Sequence, residues 1–107
     1  MLVEQRTYTT VAGRINDYLA LYEAEGLAIQ KPILGRMVGY YRTELGPLNQ
    51  VVHMWAYKDL NERGERRAKL MADKGWQAYI EKMRALPVTV EFKLLVPAPF
   101  FTPQWNE

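Results

Sequence analysis

Residues Leu34–Tyr57, "LGRMVGYYRTELGPLNQVVHMWAY", read as strand, turn and strand. Two runs rich in Val, Tyr and Trp flank Gly46 and Pro47, and glycine beside proline at such a break is the signature of a hairpin reversal. The second run carries the chain's only histidine, His53, in alternation with Asn49, Val51, Trp55 and Tyr57. Side chains two apart on a strand share a face, so these five stand together and Gln50, Val52, Met54 and Ala56 stand on the other side. Which of the two faces is covered decides what the strand is for.

Upstream, "LVEQRTYTT" is short and alternating, predicting a strand from Leu2 to Thr9 that ends at Ala12 and Gly13. Ile15, Tyr18, Leu19 and Tyr22 recur at helical spacing, and Leu27 and Ile29 extend the stripe past Gly26 until Pro32 stops it. Downstream, Asp59 with Glu62 three residues on makes a capping-box-like start, with Leu60, Gly64, Ala68 and Met71 on one side of the helix. A break falls at Asp73. Trp76, Tyr79, Ile80, Met83 and Leu86 form the next stripe, which ends before Pro87, and "VTVEFKLLV" is the fourth strand. The order is strand, helix, strand, strand, helix, strand. That is the α+β, ferredoxin-like βαββαβ pattern, with a four-stranded antiparallel sheet, the first and third strands central and both helices on one face.

Composition bounds the function. A chain of 107 residues makes one domain, 1–107, ending in a proline-rich tail over 96–107. A net charge of +2 argues against nucleic acid or an anionic membrane as partner. With no cysteine, disulfides, thiolate catalysis and Cys-based zinc sites are excluded. No signal-peptide order opens the chain and no apolar run approaches the ~20 residues of a membrane span, so a cytoplasmic location is expected. The run "NERGERRAK" interleaves Glu62 and Glu65 with Arg63, Arg66 and Arg67, the pattern of a solvated helix face. No phosphate loop, nucleophile elbow or dinucleotide fingerprint is present.

Two helices leave one sheet face uncovered. The simplest assignment turns Gln50, Val52, Met54 and Ala56 toward the helices. It leaves Glu4, Arg6, Tyr8, Tyr41, Asn49, His53, Trp55 and Tyr57 on the open face. Each ring there has about 150 to 250 Å² to hide at roughly 25 cal/mol/Å², so a second copy packing sheet to sheet is expected, enclosing a partly polar cavity. Phe100, Phe101 and Trp105 in "PAPFFTPQW" are expected to pack on that dimer, since the prolines deny the tail a place in the ladder.

"RTYT" at Arg6–Thr9, "VGYYRTELGPLNQVVHMWAY" at Val38–Tyr57, "WQAY" at Trp76–Tyr79 and "PAPF" at Pro97–Phe100 resemble the NIPSNAP family, within the dimeric α+β barrel group. The resemblance covers nearly the whole chain and implies a ferredoxin-like subunit in a barrel-like dimer. Related barrels include cofactor-independent monooxygenases, haem-degrading enzymes and small-molecule isomerases or dehydratases. Animal members of the family are mitochondrial and linked to trafficking and mitophagy signalling.

His53 is a candidate general base or acid, haem ligand or hydrogen-bonding wall residue. In either register, Glu4 or Arg6 stands opposite it; a carboxylate raises the basicity of the imidazole and an arginine lowers it. A lone histidine without cysteine gives no metal site, and no cofactor is expected. Tyr8, Tyr41, Trp55 and Tyr57 suit an aromatic dimer core or a cage for a flat ligand. Asn49 and Gln50 also suit satisfaction of hairpin backbone groups. The preferred reading is a homodimer binding a small, partly apolar molecule or a protein partner. The alternative is a cofactor-independent enzyme, monooxygenase or isomerase in type, acting on a small aromatic or polyketide-like substrate.

Overall fold

The structure, a computed structural model, describes residues 1–106. Strand β1 (Leu2–Thr10) leads to α1 (Ile15–Leu21), a π turn (Tyr22–Gly26) and α2 (Leu27–Leu34), which run on as one interrupted helix. Then come β2 (Arg36–Arg42), β3 (Gln50–Tyr57), α3 (Leu60–Ala72), α4 (Lys74–Met83) and β4 (Pro87–Leu95). The sheet order is β2-β3-β1-β4, every pair antiparallel, as the ferredoxin-like reading requires.

Local chemistry explains the breaks. Pro32 sits inside α2 and does not stop it; the stop is Gly35, whose φ of 92° favours glycine and whose N–H donates to the Lys31 carbonyl at 2.8 Å. In the π turn, a Cβ on Gly26 would lie 2.8 Å from the Tyr22 ring and 3.0 Å from that of Tyr79, so the bare backbone lets two rings close over it. Asp59 caps α3 by accepting from the Glu62 N–H at 2.8 Å. Asp73 ends α3 and caps α4, accepting from the Trp76 N–H at 2.8 Å.

The two sheet faces are the reverse of the expected assignment. Tyr18 of α1 stands edge-on to Tyr8 at 6.0 Å, and its hydroxyl lies 2.9 Å from that of Tyr40. Tyr22 of the π turn stacks on Tyr40 at 4.6 Å, and Tyr40 stacks on His53 at 4.7 Å. Glu4, Arg6, Tyr8, His53, Trp55 and Tyr57 therefore lie on the helix-covered face. Gln50, Val52 and Met54 lie on the outer one. Burying the large rings removes more apolar area than burying Val52 and Met54, and Tyr18, Tyr22 and Tyr79 bring matching rings from the helices.

Tyr41 is parted from this group. The pairing of β2 with β3 shifts between Met37 and Gly39, so Val38 is an extra residue, Tyr40 faces His53 and Tyr41 faces outward, 58% exposed. Asn49 also lies off the site: it has φ of 65° in the hairpin loop, its carbonyl accepts from Thr10 N–H at 2.7 Å, and its Oδ1 accepts from Gly13 N–H at 3.2 Å.

After β4 the chain turns back over the outer face. Val3, Tyr41, Met54, Leu95, Phe101 and Pro103 are among the residues lining a groove of about 580 Å³ there. Pro103 is buried, and the Trp105 ring lies 5.7 Å from the Arg36 guanidinium, whereas Phe100 is 93% exposed.

Candidate functional site

Beneath α3 the covered face of the sheet is polar. Glu4 on β1 is fully buried, and its Oε2 accepts from Arg6 Nη1 at 3.2 Å and from Arg63 Nη2 at 2.7 Å. Arg6 also donates from Nε to the Tyr8 hydroxyl at 3.0 Å. Arg6 pairs across the strands with His53, and Glu4 with Trp55. The Phe92 ring of β4 forms the rim, with the Arg6 and Arg63 guanidinium carbons 5.4 and 5.3 Å from its centre.

His53 is held in one tautomer. Trp55 Nε1 donates to His53 Nδ1 at 2.7 Å, and an indole nitrogen can only donate. The lone pair is therefore on Nδ1, and the neutral ring carries its hydrogen on Nε2. Burial, then Arg6, then Arg67, lower its pKa from the usual 6.5 to about 3, so the ring is neutral at pH 7. The arginine rather than the carboxylate stands opposite it, with the expected consequence for basicity.

Several polar atoms here are buried without a hydrogen-bond partner: His53 Nε2, Tyr57 Oη, Arg63 Nε and Glu4 Oε1. Two more such atoms, Trp76 Nε1 and Tyr79 Oη, belong to α4, so four of the six among the described residues lie in this one layer. Tyr57 has its pKa pushed up to about 12, by burial first and then by Glu4, against the opposing arginines Arg67, Arg63 and Arg6. Its hydroxyl keeps its proton at neutral pH. Burial also lowers the Arg67 pKa, with Arg6 adding repulsion.

Of the eight residues expected at the site, Glu4, Arg6, Tyr8, His53, Trp55 and Tyr57 come together and Tyr41 and Asn49 do not. Sequence reasoning missed Arg63, Arg67 and Phe92. The arginines, read as a solvated face, turn inward with Leu70; the residues expected inward, Leu60 and Met71, are exposed. The spacing of Arg63, Arg67 and Leu70 at i, i+4 and i+7 was the available signal, since these three share a helix face. Among the described residues no group of three or more His, Cys, Asp or Glu gathers as a metal site would, and no helix is long and apolar enough to cross a membrane.

The family described as NIPSNAP matches residues 3–102. A NipSnap homolog of Dictyostelium discoideum is 32% identical over 94 residues, 88% of this chain and 41% of that protein, so the chain spans about two fifths of that relative's length. Among solved structures, a NIPSNAP family protein with unknown function from Agrobacterium tumefaciens is 45% identical, with a TM-score of 0.94 over 97% of this chain and 94% of that one. A NIPSNAP-like domain protein from Burkholderia xenovorans is 43% identical, with a TM-score of 0.92 over 98% and 94%. Similarity to an antibiotic biosynthesis monooxygenase, at 14% identity and a TM-score of 0.63 over 92% of this chain and 100% of that one, is a likeness of fold alone.

Proposed function

This chain belongs to the NIPSNAP family, and we propose that it works as half of a homodimer that holds a small, partly apolar molecule between its sheet and α3. The single observation that carries the binding reading is the set of buried, unpartnered polar atoms on Glu4, His53, Tyr57 and Arg63. Trp76 Nε1 and Tyr79 Oη of α4 are unpartnered too, but these four gather in one layer beside the paired charges of Glu4, Arg6 and Arg63, which a core built only for stability would replace with hydrocarbon.

The support for a dimer differs from the aromatic-face argument, because Trp55 and Tyr57 are already buried within one chain. It comes from β4 and the tail. Val88, Val90, Leu95, Val96, Phe100 and Phe101 are exposed, and β4 is an edge strand with one side of its ladder free. An exposed apolar edge invites pairing, and a second copy of the same chain is the partner always present.

The alternative, a cofactor-independent enzyme of monooxygenase or isomerase type, calls for a group that takes a proton from substrate. His53 does not supply it. Its Nδ1 is occupied by Trp55 and its Nε2 already bears hydrogen, so the ring offers a hydrogen bond to an oxygen and does not act as a base. The arrangement favours binding and orienting over proton abstraction by this histidine.

Native mass spectrometry of the protein purified under mild conditions tests both parts. The expected species has twice the 12.5 kDa chain mass and carries an additional small molecule. A 12.5 kDa monomer at micromolar concentration would remove the dimer, and a bare mass from every preparation, with no small molecule retained or bound on addition, would remove the ligand.

A further inference from the structure

Resting on the binding reading above, we infer that the bound molecule is an anion, an apolar or aromatic carboxylate, whose charged oxygens lie among Arg6, Arg63 and Arg67 and whose acceptor capacity takes up the His53 Nε2 hydrogen.

Three facts carry this. The first is charge: Arg6, Arg63 and Arg67 converge on a layer whose carboxylate is Glu4, and Glu4 Oε2 already serves Arg6 and Arg63. Arg67 has no ion pair among the described residues, although it lies close enough to His53 and Tyr57 to act on the titration of both. Glu4 also attracts this partly buried guanidinium, so one carboxylate answers three arginines, and a cationic or neutral ligand would not make up the shortfall.

The second is the kind of hydrogen bond left unmade. His53 Nε2 and Arg63 Nε are donors by necessity, the first because Trp55 fixes the tautomer and the second because a guanidinium has no acceptor. The Tyr57 hydroxyl can donate as well. Glu4 Oε1 is the lone obligatory acceptor among the unpartnered atoms. A carboxylate offers about four lone-pair sites and forms its strongest bonds with guanidinium groups, so it answers the surplus of donors.

The third is the rim. Phe92 is 55% exposed and flanked by the Arg6 and Arg63 guanidiniums, and Val90 and Leu94, two residues away on either side along β4, share its face of the sheet and are exposed too. An apolar shelf beside a cationic floor suits a molecule with a hydrocarbon or aromatic body and a charged end.

The test uses full-length protein labelled with ¹⁵N, reading the Trp55 indole and His53 ring signals during titration with benzoate, benzamide and inorganic phosphate. Benzoate is expected to shift both signals saturably at millimolar concentration, and uncharged benzamide to bind at least about tenfold more weakly. R67M is expected to weaken benzoate by about tenfold or more, while R66M, whose guanidinium bonds the Ile33 carbonyl, leaves it unchanged. Benzamide binding as tightly as benzoate would overturn the anion inference and leave the small-molecule reading standing. Phosphate shifting the signals with benzoate silent would overturn the apolar carboxylate. If none of the three moves either signal, the inference falls, and the native mass measurement decides separately whether a ligand exists. The benzoate and benzamide comparison is made on the unsubstituted chain, so a variant that fails to fold cannot mask the result.

Discussion

Helices α3 and α4 are separated only by Asp73, yet they follow opposite rules. In α4 the apolar stripe goes inward: Trp76, Tyr79 and Met83 are buried, and the helix packs on the π turn and α2. In α3 the apolar stripe goes outward: Leu60 and Met71 are exposed, while Arg63, Arg67 and Leu70 face the sheet. α4 serves packing, and its hydrophobic period reports its buried face. α3 places two arginines, Arg63 and Arg67, beside Glu4 and His53, and its period misreports. Locations where a strong local pattern is overridden are where function is most often found.

The largest expected effects separate these helices by stability. Truncating Trp76 or Tyr79 to alanine is expected to cost about 3–5 kcal/mol, as removing a buried ring does. L60A and M71A should change stability by no more than about 0.5 kcal/mol. Denaturant unfolding of the four variants checks the contrast; comparable losses from both pairs would restore the apolar stripe of α3 to the core.

R63M sharpens the same comparison from the polar side. It removes one of the two partners of the fully buried Glu4 carboxylate and is expected to destabilise by about 3 kcal/mol. R66M, on the outer shoulder of the helix, should lose far less. Equal losses in chemical melts would show that α3 does not distinguish its arginines.

The pH dependence comes next. His53 titrates near 3 in the folded chain and near 6.5 when unfolded, because burial and then Arg6 and Arg67 oppose its charge. The unfolded chain therefore binds the extra proton first. Stability is fully present above about pH 6.5 and falls as pH drops toward 3, by up to about 1.4 kcal/mol per unit from this one group. H53N keeps an acceptor for Trp55 and lacks the titration, so the stability of the unsubstituted chain relative to H53N should fall as pH falls through that window. A constant difference would place a charged imidazole in the folded state.

Much of this was legible. The order of strands and helices, the central position of β1 and β3, the Asp59 cap, the break at Asp73 and the core role of Trp76 and Tyr79 follow from turn residues and periodicity. The gathering of Glu4, Arg6, Tyr8, His53, Trp55 and Tyr57 followed from strand alternation. What alternation cannot supply is the sign of a face: both faces of β3 carry apolar residues, and the helices settled on the one with rings. Tyr41 was lost to the site by one extra residue, Val38, which flips every side chain after it. Arg63 and Arg67 were lost because charge at helical spacing is ordinarily a solvated surface.

The central claim is that Arg67, unlike its neighbour Arg63, which also holds Glu4, serves a ligand and not the fold, and the stability of R67M tests it most directly. Arg67 makes no ion pair among the described residues, and burial and then Arg6 oppose its ionisation against the attraction of Glu4. Replacing it with methionine should raise stability by about 0.5–2 kcal/mol in the ligand-free protein. A loss of more than about 1 kcal/mol in denaturant unfolding at pH 7 would mean that Arg67 holds the structure together, contradicting the claim.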